Sequence, residues 1–289
     1  MRAVWLREFG PPTALTPGEA PEPEGDAVID VEYANITFVE TQVRAGRGPF
    51  PVQLPMIPGN GVGGVLDGRR VVASLNGRGG YAERAVPGEW FDVPDDLPLD
   101  HAVALLADGR TATLLTDAAA LQPGERVLVL AAAGGVGTLL VQLADRAGAT
   151  VIGAASTDAK RRRAASLGAT ETLGYDELKA GQSRFRFVFD GVGGEAARDA
   201  FAALEPGGRM LSYGLASGSW ANISAEEAAA REVTLVRAGR PERRHTERAL
   251  TAGLTPIIGQ RFPLEQAADA HAVIEARATV GKTLLVVDA

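Results

Sequence analysis

The chain has 289 residues, more than the usual single-domain size of roughly 100 to 200 residues, so two domains are expected. Hydrophobic residues make up 46% of the sequence and charged residues 22%, a composition typical of soluble globular proteins. The formal net charge of -7 argues against a general nucleic-acid-binding surface. The absence of cysteine excludes a disulfide framework and a thiolate metal site.

Residues 1–107 are rich in proline and glycine and contain short apolar alternations instead of long helical patterns. Alternation over residues 27–33 predicts one strand, and residues 70–75 predict another. This texture indicates a compact β-rich domain with tight corners. Spaced apolar side chains over residues 101–115 then suggest helices that lead into the next segment.

A strand, a glycine turn and a helix follow one another at the centre of the chain. An unbroken apolar run at 127–131 is typical of a strand buried on both faces of a parallel sheet. Glycines at 134, 135 and 137 end that run, and an apolar helical face continues to residue 147. Strands and helices then alternate, which predicts a doubly wound parallel α/β sheet. The further predicted strands are 150–155, 171–173, 185–190 and 209–213, with helices at 159–167 and 196–204.

The C-terminal part returns to the first texture. It predicts a strand at 232–237, helices at 241–252 and 264–277, and strands at 256–262 and 281–287. We therefore expect residues 1–107 and 240–289 to form one domain, with an α/β domain of residues 108–239 inserted. The strand 232–237 comes last in the inserted block, so it is expected at a sheet edge, where it could pair with its copy in a homodimer.

Neither a secretory signal nor a membrane span is expected. The N-terminal eight residues carry charge early and lack a long apolar core. Residues 127–144 are free of charge and long enough to suggest a membrane span, but the three central glycines favour a strand, a turn and a helix. We expect a soluble, cytoplasmic protein.

The glycine turn has the form of a pyrophosphate site. Missing side chains let phosphate oxygens approach the backbone, and the N–H groups at the start of the following helix face the anion. An ordinary strand-to-helix corner can also use glycine, and Ala132 occupies the first glycine position of the usual dinucleotide pattern. The strand before the turn and the helix after it favour dinucleotide binding.

The end of the next predicted strand, residues 154–157, indicates which dinucleotide is bound. An NAD enzyme usually places Asp or Glu there to hold the ribose 2′-hydroxyl, and this chain has no carboxylate at that point. Ser156 can donate to a phosphate oxygen, and Lys160 supplies a positive charge, so NADPH is favoured over NADH. Arg162 and Arg163 are interpreted as a solvated helix face, and for Arg161 both interpretations stay open.

Several short motifs together resemble the zeta-crystallin-like quinone oxidoreductases of the medium-chain dehydrogenase/reductase superfamily. The resemblance covers nearly the whole chain. It implies an α/β protein with a GroES-like β-rich catalytic domain and a Rossmann domain that binds NADPH, and hydride transfer to a quinone or an activated C=C bond. The motifs are Asn35 with Glu40, Arg44–Gly46, Ile57–Gly59, Gly80–Glu83, Thr111 with Ala112, Gly134–Gly137, Leu167–Ala169, Phe189–Gly193, and Gly281 with Lys282.

The resemblance also implies roles for individual residues. A threonine near the nicotinamide amide, a pyrophosphate turn, the 2′-phosphate contacts and the backbone around ribose and nicotinamide have matches in this chain. Asn35 is implied as a donor to the cofactor or to the substrate oxygen, although an asparagine satisfied by its own turn backbone is an alternative. Thr111 matches the threonine near the nicotinamide amide. Gly134, Gly135 and Val136 match the pyrophosphate turn, and Ser156, Lys160 and Tyr175 match the 2′-phosphate contacts. The backbone around ribose and nicotinamide is matched by Val192, Gly193, Gly214 and Leu215.

Three departures from the family pattern affect the chemistry. The zinc ligands of metal-dependent relatives are missing, because Asn60 follows Gly59 and the chain has no cysteine, so no metal is expected. Gly48 stands where many relatives carry a tyrosine, which removes that proton donor. The connections at 65–70 and 220–247 are short for the family.

The remaining polar candidates are interpreted as structural. Arg44 is expected to pair with a nearby acid such as Glu40, His271 to be a packed side chain, and Asp190 to cap a turn. The catalytic residue therefore stays unknown, with Asn35 as the candidate. The predicted activity is NADPH-dependent reduction of a small quinone or enone without metal. The alternatives are an enoyl-thioester reductase and an NADPH-binding sensor or structural protein with little catalysis.

Overall fold

The computed structural model describes residues 1–179 and 184–287, and the chain divides into two compact units. Unit 1 comprises Met1–Gly109 and Thr246–Ala289, and unit 2 comprises Arg110–His245. The domain boundaries expected from the sequence, 107/108 and 239/240, stay a prediction. Among the described residues, no helix has both the length and the apolar character needed to cross a bilayer.

The first part of unit 1 is mostly β structure, as its texture predicted, and it ends in a π-helical turn at Leu105–Gly109. A 3-10 turn, Pro12–Ala14, follows the first strand. The other elements are β1 (Arg2–Leu6), β2 (Leu15–Glu19), β3 (Ile29–Ile36), α1 (Phe38–Arg44), β4 (Gly61–Leu66), β5 (Arg69–Ser74), β6 (Arg84–Ala85), β7 (Glu89–Asp92) and α2 (Leu99–Ala104).

Unit 2 alternates strands and helices, and the chain then returns to unit 1. The elements of unit 2 are α3 (Arg110–Ala119), β8 (Arg126–Leu130), α4 (Gly135–Arg146), β9 (Thr150–Ala154), α5 (Asp158–Ala165), β10 (Glu171–Leu173), α6 (Tyr175–Lys179), β11 (Phe185–Asp190), α7 (Gly194–Ala202), β12 (Leu204–Ser212), α8 (Ala225–Ala230) and β13 (Thr234–Leu235). The boundary at 245/246 falls within α9 (Arg243–Thr251), and the returning segment continues with β14 (Ile258–Pro263), a 3-10 turn (Leu264–Gln266), α10 (Ala267–Glu275) and β15 (Lys282–Val286).

The sheet of unit 1 joins both ends of the chain. Its strand order is β14-β15-β3-β4-β5-β7, with β6 also paired to β3, and β1 and β2 form a separate hairpin. The short connection at 65–70 is a tight turn in which Asp67 and Gly68 both have positive φ, the geometry of a two-residue β-hairpin. The apolar faces of β3, β4, β5 and β15 bury the core of this unit.

The sheet of unit 2 confirms the predicted doubly wound architecture. All its pairings are parallel, in the order β10-β9-β8-β11-β12-β13. Residues 127–130 of the central strand β8 are completely buried, which is why their sequence is an unbroken apolar run. The strand order reverses between β8 and β11, and open α/β sheets bind ligands at the carboxyl ends of the strands at such a point.

The predicted strand 232–237 is much shorter in the structure. Only Thr234 and Leu235 form β13, at the edge of the sheet and parallel to β12. Glu232 has a φ of 55°, a left-handed conformation that extended backbone does not allow. The predicted helix 264–277 likewise starts as a 3-10 turn, and only Ala267–Glu275 is α-helical.

His271 is completely buried on α10, as expected of a packed histidine, and its Nε2 shares a hydrogen bond of 2.9 Å with Tyr81 Oη. Burial, together with the positive charge of Arg44, lowers the pKa of His271 to about 3. The folded chain therefore holds this imidazole neutral at pH values where the unfolded chain protonates it.

We expect the free energy of unfolding to fall as the pH drops below about 6.5, by about 1.4 kcal/mol per pH unit from this group, because only the unfolded state binds the proton there. A His271→Gln variant should lack this contribution at pH 4 to 6.5 and match the wild-type slope above pH 7. Urea titrations of both proteins at several pH values measure it. Parallel pH profiles would contradict the assignment.

Candidate functional site

The glycine turn between β8 and α4 is closely packed against its own backbone. Gly134 precedes the helix and donates its N–H to Ala131 O at 2.8 Å. A Cβ at Gly137 would lie 2.1 Å from Ala131 O, so only glycine fits there. The first turn of an α-helix leaves backbone N–H groups without intrahelical acceptors, and these can bind an anion. The turn has the shape that a pyrophosphate site requires.

The end of β9 carries the residues predicted for the 2′-phosphate. Ser156 is exposed and Lys160 half-buried. Thr157 caps α5, because its Oγ1 accepts a hydrogen bond of 3.3 Å from the Lys160 N–H. Backbone capping by Thr157 thus holds Lys160 in the first turn of α5, directly after the strand end.

Tyr175 connects α6 to the glycine turn. Its hydroxyl takes part in a hydrogen bond with the backbone of Ala131, and the residue is half-buried. Burial raises the pKa of Tyr175, and the bond to Ala131 opposes that rise. The ends of β8, β9 and β10 lie at one edge of the parallel sheet, so this contact belongs to the same edge as Ser156 and Lys160.

Asp190 organises the loop after β11. It is completely buried, and its Oδ1 accepts hydrogen bonds from Val192 N at 2.9 Å and Gly193 N at 2.8 Å, while Ser212 Oγ donates to Oδ2 at 2.8 Å. Burial raises the pKa of Asp190, and these hydrogen bonds oppose the rise. The carboxylate thus caps the turn, as the sequence suggested, and fixes the backbone of Val192 and Gly193.

Glycines let the loops after β11 and β12 approach each other. Gly193 has a φ of 72°, and a Cβ there would lie 2.1 Å from Ser219 O. A Cβ at Gly214 would lie 2.8 Å from Gly191 O. Leu215, next in the chain, is half-buried. The predicted backbone stretches of unit 2 therefore lie together at the carboxyl ends of β11 and β12.

Thr111 and Asn35 lie in other elements. Thr111 is the second residue of α3 and is half-buried. Asn35 lies within β3, paired with Leu284 of β15, and is 1% exposed. Its position inside a strand does not fit the alternative of a turn asparagine satisfied by its own backbone.

The carboxamide oxygen of Asn35 is a buried, unsatisfied group of unit 1. It is buried and has no hydrogen-bond partner within residues 1–179 and 184–287, and its Nδ2 would lie 2.2 Å from a Cβ at Gly61. A buried acceptor without a donor costs about 1 to 3 kcal/mol. Gly61 thus makes room for an amide that still requires a donor, as a residue that binds a polar ligand would.

A cavity of about 390 Å³ surrounds the segment that contains Gly48. A Cβ at Gly48 would lie 2.6 Å from Val43 Cγ2 and 3.1 Å from Val43 Cα, so the packing of α1 leaves no room for the tyrosine of related sequences. The lining residues are all apolar and contain no titratable group. They are Phe9, Val43, Gly46, Gly48, Pro49, Phe50, Pro51 and Val52.

The structure corrects the expected partner of Arg44. Its guanidinium donates to Glu275 and to Gly10 O, and Glu40 instead caps α1 by accepting from Thr37 N and, at 2.8 Å, from Asn60 N. Burial raises the pKa of Glu40, while these hydrogen bonds and the charge of Lys282 lower it. The Arg44 guanidinium and the Glu40 carboxylate therefore both bind to segments next to α1 and hold this helix in place.

No group of three or more His, Cys, Asp or Glu side chains within the described residues could hold a metal ion. Two polar features of unit 1 had no signal in the sequence analysis. These are the ion pair of Asp108 with Lys282 and the contact of Tyr81 with His271, each between residues more than 170 positions apart. Only a second aligned sequence with paired changes could have suggested them.

Comparisons with known proteins agree with this architecture. A family model described as zinc-binding dehydrogenase matches residues 135–254. The chain is 34% identical to a probable quinone oxidoreductase of Schizosaccharomyces pombe over 98% of this chain and 96% of the relative. It is 32% identical to a 2-haloacrylate reductase of Burkholderia over 86% and 87% of the two chains. Its fold is similar to that of the quinone oxidoreductase of Thermus thermophilus, solved also in complex with NADPH, with a TM-score of 0.86, 31% identity and coverage of 99% and 100%.

Proposed function

Because the chain belongs to the zeta-crystallin-like quinone oxidoreductases of the medium-chain dehydrogenase/reductase superfamily, we propose that it is an NADPH-dependent oxidoreductase of small quinones or activated C=C bonds, acting without metal. The observation that carries this proposal is the similarity to quinone oxidoreductases over nearly the full chain, with an NADPH complex among them. The absence of cysteine supports a reaction without zinc.

The NADPH-binding residues of unit 2 lie at the carboxyl ends of its strands. Backbone N–H groups of Gly134, Gly135 and Val136 bind the pyrophosphate, because no side chain hinders the approach. The other proposed contacts are Ser156, Lys160 and Tyr175 to the 2′-phosphate, and the backbone of Val192, Gly193, Gly214 and Leu215 to ribose and nicotinamide. Asp190 supports the ribose and nicotinamide contacts, because its carboxylate fixes the backbone N–H groups of Val192 and Gly193.

Bound NADPH supplies the hydride that reduces the acceptor. The protein's part is to bind, orient and polarise. Thr111 is proposed to hold the nicotinamide amide, and Asn35 to donate through its Nδ2 to the cofactor or to the acceptor oxygen. The unsatisfied Oδ1 of Asn35 supports a role in ligand binding, since a bound amide or hydroxyl would supply the donor that it lacks.

The apolar lining of the Gly48 cavity supports a quinone as acceptor. No group in that lining can deliver a proton, and Gly48 leaves no place for a tyrosine. A reduced quinone leaves as a stabilised anion that water can protonate. Hydride addition to an enone leaves an enolate whose carbon takes one proton, which solvent can also supply, and a relative named 2-haloacrylate reductase favours this second acceptor class. The missing proton donor is the observation that favours a sensor with little catalysis.

The test is stopped-flow absorbance at the nicotinamide band, with NADPH and NADH in parallel against a small quinone, an alkyl enone and an enoyl thioester. We expect rapid oxidation of NADPH with the quinone or the enone, slower oxidation of NADH, and rates that a chelator leaves unchanged. Tight NADPH binding without oxidation by any acceptor would refute the enzymatic proposal and favour the sensor. Preference for the thioester would favour the enoyl-thioester reductase.

Homodimer formation through residues 232–237 and a cytoplasmic location are further proposals. β13 lies at the sheet edge, and its Leu235 is 37% exposed, which supports an edge that pairs with a second copy. Sedimentation equilibrium tests the assembly, and a monomeric mass at micromolar concentration would exclude it. Cell fractionation tests the location.

A further inference from the structure

Arg161 is held differently from the arginines that follow it. Its Nη1 donates to Ala155 O at 3.4 Å, directly after β9, and its Nη2 donates to Asp158. The Arg161 side chain is 26% exposed, whereas Arg162 and Arg163 are exposed on the same helix. The guanidinium therefore folds back from α5 onto the end of β9.

A missing side chain after β10 makes room for this guanidinium. A Cβ at Gly174 would lie 3.1 Å from Arg161 Nη1. Arg161 thus occupies the ends of both β9 and β10, where the carboxylate of an NAD enzyme would stand. A cation at that point selects for a phosphate on the ribose, as the carboxylate selects for a hydroxyl.

The contacts of Arg161 leave it capacity to bind an anion. A guanidinium has five N–H donors, and the two contacts above use two of them. Asp158 is 74% exposed and neutralises part of the charge. The other nearby carboxylate, Glu177, accepts a hydrogen bond of 2.5 Å from Gly174 N. A phosphate would therefore compete with Asp158 for the guanidinium.

We propose that Arg161 is a second cationic contact for the adenosine 2′-phosphate, beside Lys160, and that Asp158 weakens phosphate binding by sharing the guanidinium. The proposal rests on the proposed function, because it assumes that the chain binds NADPH. Arg161 then helps to determine which cofactor binds. Arg162 and Arg163 differ from it in facing solvent and making no contact with the phosphate.

Titration calorimetry with adenosine 2′,5′-bisphosphate and with 5′-AMP tests the proposal on the full chain without turnover. We expect Arg161→Gln to weaken bisphosphate binding about tenfold and 5′-AMP binding less than about twofold, since only the bisphosphate bonds to the guanidinium. Asp158→Asn should strengthen bisphosphate binding about two- to fivefold, because the competing charge is gone. Arg162→Gln is the matched control, with the same charge change on the exposed face, and should change neither affinity more than about twofold.

Three results would overturn the proposal. Equal weakening of both ligands by Arg161→Gln would make Arg161 a structural link between α5 and β9. Equal effects of Arg161→Gln and Arg162→Gln would indicate a diffuse positive field. An unchanged affinity of Asp158→Asn for the bisphosphate would show that Asp158 does not compete with the phosphate for Arg161. This result can be obtained even if Arg161→Gln fails to fold. Failure of the wild-type chain to prefer the bisphosphate would refute NADPH binding itself, whereas a preference that Arg161→Gln leaves undiminished would refute the role of Arg161 alone.

Discussion

Replacing Lys282 with methionine is expected to lower the free energy of unfolding by about 3 to 5 kcal/mol. Lys282 lies at the start of β15 with a side chain only 3% exposed, and its Nζ is 3.2 Å from Asp108 Oδ1. The Asp108 side chain is 13% exposed. Methionine keeps most of the aliphatic volume but leaves the Asp108 carboxylate buried without its cation. Urea unfolding at pH 7, followed by circular dichroism, measures the loss.

The double variant Lys282→Met with Asp108→Asn controls for lost packing. Removal of both charges should recover a large part of the loss, because the Asp108 carboxylate no longer stays buried without its cation; Glu40, which also feels the charge of Lys282, accounts for the part that is not recovered. Arg69, whose ion pair with Asp92 is exposed on both sides, offers a matched comparison, and Arg69→Met should change the free energy of unfolding by less than about 1 kcal/mol. A loss of similar size for Lys282→Met and Arg69→Met would contradict the assignment of a buried pair.

Replacing Gly137 with alanine is expected to destabilise unit 2 by about 3 kcal/mol, although alanine ordinarily favours a helix. The added Cβ would lie 2.1 Å from Ala131 O and 3.1 Å from Ala132 Cα. Both neighbours are backbone atoms, so α4 must move away from the end of β8. This shift also displaces the N–H groups proposed to bind the pyrophosphate, and NADPH affinity should fall at least about tenfold.

Thermal unfolding and fluorescence titration with NADPH measure the two effects of Gly137→Ala. Gly239→Ala is the control in the same unit, because a Cβ there meets no atom within 4 Å. It should leave both the melting temperature and the NADPH affinity close to wild-type values. If Gly137→Ala leaves the melting temperature and the NADPH affinity as unchanged as Gly239→Ala does, the result would contradict the close packing of α4 against the end of β8.

Local sequence patterns predicted most of unit 2, because each pattern follows from one element's own burial. β10 and β11 have the predicted bounds, β8 and β9 differ from theirs by at most one residue at each end, and β12 begins five residues earlier than predicted. The glycine turn was equally predictable, since a strand that must turn sharply against its following helix leaves no space for a Cβ at Gly137. The edge strand is shorter than its alternation predicted, because Glu232 at its first position is left-handed and only Thr234 and Leu235 pair with β12, which a pattern of side chains does not reveal.

The sequence by itself therefore determined the fold class, the parallel block, the glycine turn and the absence of a carboxylate after β9. These depend on side-chain periodicity and on the identity of residues close in the chain. Only the tertiary structure decided that Arg44 pairs with Glu275 instead of Glu40, that Lys282 meets Asp108, and that Arg161 folds back onto β9. The first two pairs join distant segments, and the third depends on space left by Gly174, so each is set by packing between elements and has no local signature.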